Sequence, residues 1–586
     1  MLRCMIPETS ANNASFAESL PMTMEPSDRL KAVFDYHERT KHHPRRYAQS
    51  PGYLDWATQP NPFRRFQGCE RIRLAHPPLA ERPLYDDLFA PSKLTPHPLN
   101  HLTISRLFYD SLAISAWKQA PGTAAWSLRI NPSSGDLHPT EGYLLCGPIE
   151  GIGRAPAVLH YSPYEHALEK RAELPEGLWR AIADRLPPST VLAGLCSIYW
   201  RESWKYGERA FRYCHHDVGH AIGALSLAAA TLGWSARLVT GLSHAVLDSL
   251  LGTERQSGPE AEHPDCVLAI FPASASSPAS VELAPNGDVI ARLRTLHWIG
   301  SENRLSSDHR PWPIIDTLCA ATQPTGPDAV TCESAAVPDN ETETASRFLP
   351  VRPRSLPAQA IIRQRRSAVA MDGATYLEPD AFFQMMRRVT PRSGAFPFSV
   401  LPWPPAVSLA LLVHRVRDLE SGLYLLIRHP DHRASLRQSL SPELAWTRPD
   451  ACPADLDFSL LLAGDWRDAA RQISCHQDIA SDGCFSLGML ARYEETLGRD
   501  GPPAYRHLFW ECGLIGQVLY LEAEAAGVRA TGIGCFFDDL MHQVLGIADR
   551  SWQSLYHFTV GGPIEDTRLQ TLSPYHHRVT GPSVNR

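Results

Sequence analysis

A short polar loop is the most distinctive group of hydrogen-bonding residues in the sequence. The segment RINPSSGDLHPTEGYLL, residues 129–145, sets two hydroxyls, a glycine and an acid ahead of the apolar strand EGYLL. Gly135 allows backbone conformations that other residues avoid, and the hydroxyls of Ser133 and Ser134 can donate hydrogen bonds. Asp136 offers an acceptor. Such a loop suits the polar edge of a flat heterocycle, and a plain surface turn before a strand is the alternative.

A basic turn in the second half of the chain has the residue types of an anion site. The stretch RQRRS, residues 363–367, precedes a helical pattern that begins near Leu377. Arg365 and Arg366 can hold a phosphate dianion by paired hydrogen bonds, and Ser367 adds a hydroxyl. A solvated basic turn is the alternative interpretation.

The third candidate, KYGERAFRYCHHDVGH, residues 205–220, begins with a lysine and a tyrosine ahead of an apolar helix. At a partly buried helix start, Lys205 can have a depressed pKa, and Tyr206 can donate or accept a proton. The alternative is an exposed basic turn in which Lys205 pairs with Glu208.

The same segment raises the question of a metal. His216 and His220 are four residues apart, with Cys214 and His215 beside them. Structural and catalytic zinc sites need three or four protein ligands, and no further ligand with suitable spacing follows, so we predict no metal site. The sequence also lacks the glycine-rich, zinc-protease and nucleophile-elbow motifs, which leaves nucleotide hydrolysis and serine hydrolysis without support.

Composition restricts the class of protein further. A chain of 586 residues is too long to fold around a single hydrophobic core, which favours two domains. The net charge of −7 supplies no broad positive field for nucleic acid or an anionic membrane. No run approaches the length of a membrane span, and the 13 scattered cysteines suggest reduced thiols, so we expect a cytoplasmic protein.

An internal repeat organises these candidates. Residues 217–252 align without a gap with residues 511–546, and eight positions are identical. Each copy reads as a long apolar helix, a glycine, a short strand, a turn and a second helix closed by glycine. Because a helix that is apolar nearly all round must be buried on several sides, we expect the copies to pack face to face as an internal pseudo-dimer with a ligand cleft between them.

The composition between the copies suggests the domain limits. We expect disorder at 1–24, a first domain at 25–305, a proline-rich linker without helical or strand period at 306–358, a second domain at 359–575 and a tail at 576–586.

Taken together, these segments resemble the nitroreductase superfamily of FMN enzymes, and within it the SagB/ThcOx-type dehydrogenases in a tandem-domain form. The matching stretches are YHERTKHHPRRYA, RINPSSGDLHPTEGYLL, LHYSPYEHALE, KYGERAFRY, SCHQDIASDGCFSLGML, YRHLFWECGLIGQVLYLEAEAAGVRATGIGCFFDD and VGGPIEDTRL. The resemblance covers nearly everything except the start, the linker and the tail. It implies an α+β fold of two tandem nitroreductase-like domains, a mixed sheet flanked by helices in each, and FMN bound where the two domains meet.

The resemblance also implies a set of cofactor contacts. From the second half they are Arg365, Arg366, Ser367, Gly532, Gly534 and Arg568, and from the first half Ser133, Ser134 and Asp136. The loop at 129–145 would then hold the edge of the isoalloxazine ring. Asp136 stands where the family usually has asparagine, so its contact depends on its protonation state.

The two halves are not equivalent in these motifs. The first half has His37–Lys41 where the arginine pair would be, and the second half has Phe396–Pro405 where the serine loop would be. We therefore expect one complete site, and one FMN per chain.

Three functions are compatible with the resemblance. The first is an FMN oxidoreductase that oxidises azoline heterocycles of a peptide or small molecule, with Lys205 and Tyr206 in the position of the family's catalytic pair. The second is an NAD(P)H-dependent nitro- or quinone reductase, and the third is a non-catalytic flavin-binding scaffold for a partner enzyme. Further oligomerisation beyond the pseudo-dimer stays open.

Overall fold

The computed structural model describes residues 24–90, 93–274, 276–324, 356–392 and 395–578. Apart from its last residue, the segment expected to be disordered lies outside the described residues. The end of the expected tail does so as well.

Two large sheets and two long helices form the core. The strands are β1 Phe66–Gln67, β2 Arg71–Arg73, β3 Ile114–Gln119, β4 Trp126–Arg129, β5 Thr140–Cys146, β6 Ala157–Ser162, β7 Ala167–Glu173, β8 Val191–Ser197, β9 Trp234–Thr240, β10 His263–Pro272, β11 Val281–Glu282, β12 Ser301–Glu302, β13 Val407–Val413, β14 Gly422–Ile427, β15 Asp457–Ala463, β16 Phe485–Arg492, β17 Arg529–Ile533, β18 Trp552–Gly561 and β19 Gln570–Leu572. The helices are α1 Pro26–Arg39, α2 His101–Tyr109, α3 Glu176–Ala183, α4 Tyr199–Tyr206, α5 Ala210–Thr231, α6 His244–Leu251, α7 Gly287–Arg294, α8 Pro313–Ala321, α9 Ala358–Gln364, α10 Pro379–Val389, α11 His432–Ser439, α12 Arg467–Ile473, α13 Ile479–Asp482, α14 Tyr493–Asp500, α15 Ala504–Ala525 and α16 Asp538–Leu545.

Each half has its own sheet. The order is β11-β9-β10-β8-β5-β6-β7-β2 in the first half and β15-β14-β13-β16-β18-β17 in the second. Neighbouring strands are antiparallel except β11 and β9, which makes the first sheet mixed. Strands such as β8 and β13 are buried along their whole length, since helices cover both faces of the sheets. The α+β class and the tandem arrangement expected from the sequence are confirmed.

Helices α5 and α15 pack against each other along the centre of the molecule. Gly219 and Gly513 lie at their crossing, where a Cβ on Gly219 would come within 2.9 Å of the Gly513 Cα atom. These two glycines occupy equivalent positions in the repeat, so the close approach of the backbones is common to both copies. The pair forms the interface of the internal pseudo-dimer, because all of α5 and nearly all of α15 is buried.

The repeat itself is seen as the sequence predicts. The first copy runs through α5, β9 and α6, and the second through α15, β17 and α16. Both second helices end at a glycine in the left-handed conformation, Gly252 with φ 73° and Gly546 with φ 76°.

The expected linker is not without structure throughout. Helix α8 lies inside the range 306–358 and packs on α1, with Ile315 and Leu318 buried. Proline is compatible with the first turn of this helix, because an N–H group at that position would have no intrahelical hydrogen-bond partner, so its absence costs nothing. Residues 325–355 of the range lie outside the described part of the chain.

The end of the second half crosses to the first. Strand β19 pairs antiparallel with β3, which continues into β4 as a three-stranded sheet. The Trp117 indole donates a hydrogen bond to the Pro574 carbonyl at 2.7 Å, which fixes this crossing. The short sheet therefore closes one side of the space between the halves.

Candidate active site

The loop at residues 129–145 folds into a tight turn beside α5. Gly135, Asp136 and His138 all have positive φ, at 62°, 57° and 51°. Backbone conformations of this kind are uncommon for non-glycine residues and need support from their surroundings. The Ser133 hydroxyl accepts a hydrogen bond from the His138 backbone N–H at 2.8 Å, and Asp217 of α5 accepts one from the Ser134 N–H at 3.3 Å.

This turn forms one wall of a cavity of about 320 Å³ between the two halves. The first half contributes Asn131, Ser133, Ser134, Gly135, Asp136, Asp217 and His220, and the second contributes Arg365, Arg366, Ser367, Tyr520, Arg529, Gly532 and Tyr556. A volume above about 300 Å³ is typical of a ligand or cofactor site. The expected meeting of the serine loop with the arginine turn is thus found.

The arginines follow directly after the short helix α9. Arg365 donates from Nε to the Ile130 carbonyl at 3.1 Å and from Nη2 to the Arg129 carbonyl at 3.0 Å. Its buried Nη1 has no hydrogen-bond partner among the described residues. Burial lowers the pKa of Arg365, and it lowers the pKa of Arg366 to about 10.

Neither guanidinium is paired with a carboxylate within 4 Å in the described part of the chain; Arg366 donates from Nη2 to the Ser115 carbonyl at 2.9 Å. Arg365 is buried and Arg366 is half-buried, and the nearest acid, Glu524, accepts from the Arg366 backbone N–H at 3.1 Å and forms no ion pair with either guanidinium. A buried cation without an ion-pair partner favours an anion in the cavity, because a buried charge is costly unless it is paired. The unpartnered donor on Arg365 fits a phosphate group of a cofactor. The Ser367 hydroxyl lies 2.8 Å from the Tyr520 hydroxyl, which accepts from the Gly532 N–H at 3.0 Å.

Two other expected contacts are not among the residues that line this cavity. The Gly534 carbonyl accepts hydrogen bonds from Arg209 at 3.2 Å and from the Tyr213 hydroxyl at 3.1 Å, behind the cavity wall. Arg568 is on the surface, where its side chain is 83% exposed and paired with Asp566. The structure therefore brings seven of the nine expected cofactor residues together and leaves Gly534 and Arg568 outside.

Lys205 and Tyr206 end helix α4 and meet the turn from its other side. A Cβ atom on Gly135 would lie 2.7 Å from the Lys205 Nζ and 2.6 Å from the Tyr206 hydroxyl oxygen, so both side chains reach the backbone of the turn. The Lys205 Nζ lies 5.2 Å from the centre of the Tyr206 ring. Burial and the charge of Glu202 raise the pKa of Tyr206, so the phenol keeps its proton.

Asp136 stands between these groups. Burial raises its pKa to about 6, against the opposing effects of Arg365 and Lys205. Its carboxyl therefore changes charge close to neutral pH, and the group can act as donor or acceptor toward a ring edge.

A second, wider cavity of about 890 Å³ adjoins the first and shares Trp126, Gly135 and Asp136 with it. Its other lining residues include Trp56, Phe63, Trp117, Trp204 and Lys205. Aromatic walls favour flat apolar groups, so this groove offers a place for a substrate next to Lys205.

Near the pseudo-symmetric position on the other side of the molecule, the described residues enclose a small cavity of about 60 Å³ that Trp403 and His507 line. Trp403, from the segment that replaces the serine loop, stacks on His507 with ring centres 4.2 Å apart. His37 and Lys41, which stand where the arginine pair would be, are engaged with Tyr505 and Asp539.

The histidines and cysteines considered for a metal have structural contacts. His216 lies 3.1 Å from the Leu555 carbonyl and His220 lies 3.2 Å from the Tyr556 hydroxyl. No group of three or more potential metal ligands occurs among the described residues, and the cysteines described there are free thiols. Over the same residues, no helix has the length and hydropathy of a membrane span.

Two buried carboxyls in this region had no signal in the sequence. Glu202 precedes Lys205 by one helical turn on α4, and Asp217 lies on α5. Both read as ordinary helix positions, and only the fold shows that both are buried beside the serine turn. The aromatic groove was also not predicted, because its walls come from segments 56–63, 117–126 and 204–205 that are distant in sequence.

Comparisons with known proteins agree with this fold. The nitroreductase family model matches residues 442–562. A crystal structure from Anabaena variabilis, described as a nitroreductase, covers 91% of this chain and 99% of its own with 21% identity and a TM-score of 0.63. A nitroreductase-like structure from Ralstonia eutropha covers 36% of this chain and 85% of its own, at 15% identity and a TM-score of 0.25. The Escherichia coli microcin synthetase McbBCD complex with truncated pro-MccB17 covers 43% and 95%, at 18% identity and a TM-score of 0.25.

At TM-scores this low, the two shorter matches do not bear on the architecture of the whole chain, whereas the first match spans both halves. No curated protein matches the chain. Residues 442–562 in the second half thus match the nitroreductase family model, and the whole chain shares its fold with the Anabaena variabilis structure.

Proposed function

We propose that the protein is an FMN-dependent oxidoreductase that takes a hydride from its substrate, with azoline-type heterocycles of a peptide or small molecule as the substrate class. The observation that carries the proposal is the buried Arg365, whose Nη1 has no hydrogen-bond partner in the described residues, beside the half-buried Arg366 in a cavity that the serine turn also lines. We infer a cytoplasmic location from the free thiols.

The residues present fit the cofactor at both ends. Arg365, Arg366 and the Ser367 hydroxyl would hold the phosphate, since paired arginine donors match a dianion. Ser133, Ser134 and Asp136 would contact the polar edge of the ring. When bound, flavin supplies a hydride acceptor.

The remaining chemistry belongs to side chains of this chain. The aromatic groove would orient a flat substrate and exclude water from the reacting carbon. Lys205 would take the proton that leaves carbon, because a base must lie beside the reacting group. Tyr206 keeps its proton and would donate a hydrogen bond at the same point.

Reconstitution followed by anaerobic reduction tests the proposal. The protein is loaded with FMN, washed and mixed with 2-phenylthiazoline or with NADPH, and the flavin absorbance is followed. Bleaching by the thiazoline with release of 2-phenylthiazole supports the azoline oxidation. Rapid bleaching by NADPH alone would identify an NAD(P)H-dependent nitro- or quinone reductase. A protein that binds FMN but is bleached by neither would be a scaffold for a partner enzyme, and one that cannot bind FMN contradicts the proposal outright.

A further inference from the structure

Two partly exposed cysteines of the second half face each other. Cys475 lies two residues after helix α12, and Cys535 lies two residues after strand β17. Both are free thiols, and a hydrogen bond from the Cys475 thiol to the Cys535 sulfur joins them. Among the described cysteines, Cys69 is the other one that is partly exposed, and the rest are buried.

Hydrogen bonds on either side of the cysteines hold the two segments together. The Phe537 backbone N–H donates to the Ile473 carbonyl at 2.8 Å. The Gln477 amide nitrogen donates to the Cys535 carbonyl at 2.9 Å and to the Ser474 carbonyl at 2.8 Å. Since these bonds flank the cysteines on both segments, the fold keeps the two sulfurs opposed.

The turn that carries Cys475 has an unusual backbone. Cys475 has φ 53° and His476 has φ 60°, so two consecutive non-glycine residues are in the left-handed region. Such conformations are unfavourable, persist only where the surroundings hold them, and are concentrated at functional sites. The fold thus accepts local strain in the turn that presents the Cys475 sulfur to Cys535.

His42 approaches the Cys535 sulfur from the first half of the chain. Its Nδ1 accepts a hydrogen bond from the Ala48 backbone N–H at 2.9 Å, so the proton of the neutral ring is on Nε2. Burial lowers the pKa of His42, which keeps the ring neutral, and the ring hydrogen-bonds to Cys535. The Nε2–H group is therefore the donor toward this sulfur.

These contacts favour the thiolate form of Cys535. The hydrogen bond from Cys475, followed by the one from His42 and the charge of Arg209, lowers the pKa of Cys535 against the opposing effect of burial. The same hydrogen bond raises the pKa of Cys475, so the proton of the pair stays on Cys475. The titratable and charged groups around the pair are His42, Tyr47, Arg209, Tyr213 and, bonded to Arg209, Asp538.

We propose that Cys535 and Cys475 are a peroxide-reactive thiol pair, which hydrogen peroxide converts to a disulfide and a thiol reductant restores. The Cys535 thiolate attacks one peroxide oxygen, so an S–O bond forms, the O–O bond breaks, and the departing hydroxide takes up a proton to become water. Cys475 then loses its proton and attacks the Cys535 sulfur, and the S–O bond breaks with release of a second water. The two thiols thereby give two electrons to the peroxide.

The proposal agrees with a reducing compartment, where disulfides are transient rather than structural. It does not depend on the proposed function, although Cys535 is three residues from Gly532, which lines the cofactor cavity.

Peroxide treatment followed by peptide mapping tests the pair. The full-length protein is reduced, desalted, treated with a small excess of hydrogen peroxide, alkylated and digested with trypsin. We expect a cross-link between peptides 472–492 and 530–550 through Cys475 and Cys535, which dithiothreitol reverses. The first peptide also contains Cys484, and fragmentation distinguishes its two cysteines. A cross-link through Cys484, or no disulfide at all, would overturn the proposal.

Two variants separate the roles of the thiols. In Cys475→Ser the hydroxyl can keep the hydrogen bond, so Cys535 should still react and remain a sulfenic acid that dimedone traps. In Cys535→Ser we expect Cys475 to stay reduced, because the thiolate is gone. Cys69 is the matched control within the native protein, since it is partly exposed and burial raises its pKa. Oxidation of Cys69 as fast as Cys535 would show that exposure alone decides the reaction, against the proposal.

The pH dependence of alkylation gives a second measurement that needs no substitution. Only the thiolate reacts with iodoacetamide, so below its pKa a thiol reacts about tenfold more slowly for each pH unit. We expect the labelling rate of Cys535 to change by less than about twofold between pH 6 and 8, and that of Cys69 to rise about tenfold per pH unit. A rate for Cys535 that rises with pH as steeply as that of Cys69 would contradict the thiolate. Neither measurement requires bound flavin, so the outcome is separate from that of the proposed function.

Discussion

The glycine in the serine turn allows a sharp test of the contact between the turn and the lysine–tyrosine pair. In Gly135→Ala, the new methyl would stand 2.6 Å from the Tyr206 hydroxyl and 2.7 Å from the Lys205 Nζ, where ordinary contact begins near 3.4 Å. Both side-chain tips must therefore move by about 0.7 Å or more. A displacement of about 1 Å at the reacting groups of an enzyme costs up to about 100-fold in rate.

The same substitution carries a backbone penalty that must be separated from this effect. Gly135 has φ 62°, and an L-residue in the left-handed region costs about 1 kcal/mol of stability. Gly258 has φ 84° and no atom within 4 Å of its added Cβ, so Gly258→Ala carries the backbone penalty alone.

We expect both variants to lose about 1 kcal/mol of unfolding free energy in urea, and only Gly135→Ala to lose turnover, by about 10- to 100-fold. FMN should stay bound, because the contacts proposed for its phosphate come from Arg365, Arg366 and Ser367 and none involves Gly135. Steady-state rates of the two FMN-loaded variants measure the difference. Equal rates for both would refute the placement of Lys205 and Tyr206 at the reacting centre.

Three further predictions concern the cofactor and pH. Arg365→Ala should weaken FMN binding by about 10- to 100-fold, which is the equivalent of one charge-assisted hydrogen bond. Arg568→Ala should bind FMN as the native protein does. Fluorescence titration of FMN compares the two variants, and an equal loss of affinity in both would contradict the geometry of the site. Trp403→Ala should enlarge the second cavity without adding a second flavin, since that side lacks the arginine turn, and flavin quantitation after reconstitution would show two per chain if this is wrong. The pKa of Asp136 is raised in the folded protein, so its contribution to stability is complete below pH 4 and is lost as the pH rises through 6. Asp136→Asn should remove this decline of about 1–2 kcal/mol in urea titrations across that range, and an unchanged pH profile would show that Asp136 is solvated.

Much of the architecture could be predicted, because it follows from the periodic spacing of apolar residues along the sequence. The repeated helix, strand and helix appear as α5, β9 and α6 and again as α15, β17 and α16, since an apolar helix has to be buried and a glycine ends each unit. Helix α8 was missed because prolines on both sides hid a short pattern in which Ile315, Leu318 and Cys319 share one face.

The candidate site could be predicted in part. Residues such as Ser134 and Arg365 were identified from loop and motif chemistry, and the fold brings them to one cavity. Arg568 does not line the cavity itself but pairs with Asp566, which does, so its role toward a cofactor stays a prediction. Glu202 and Asp217 could not be recognised, because the burial of a helix carboxyl beside a turn from another segment is a property of packing and not of sequence.

Flavin content is the most direct test of the shared cavity. The native protein, Arg365→Ala and the double variant Arg365→Ala/Arg366→Ala are incubated with excess FMN, gel-filtered and analysed for flavin per chain. If both halves of the chain form one shared site, we expect one FMN per native chain, less FMN in the single variant and almost none in the double variant. Two flavins per native chain, or undiminished flavin in the double variant, would contradict a single phosphate site at this turn.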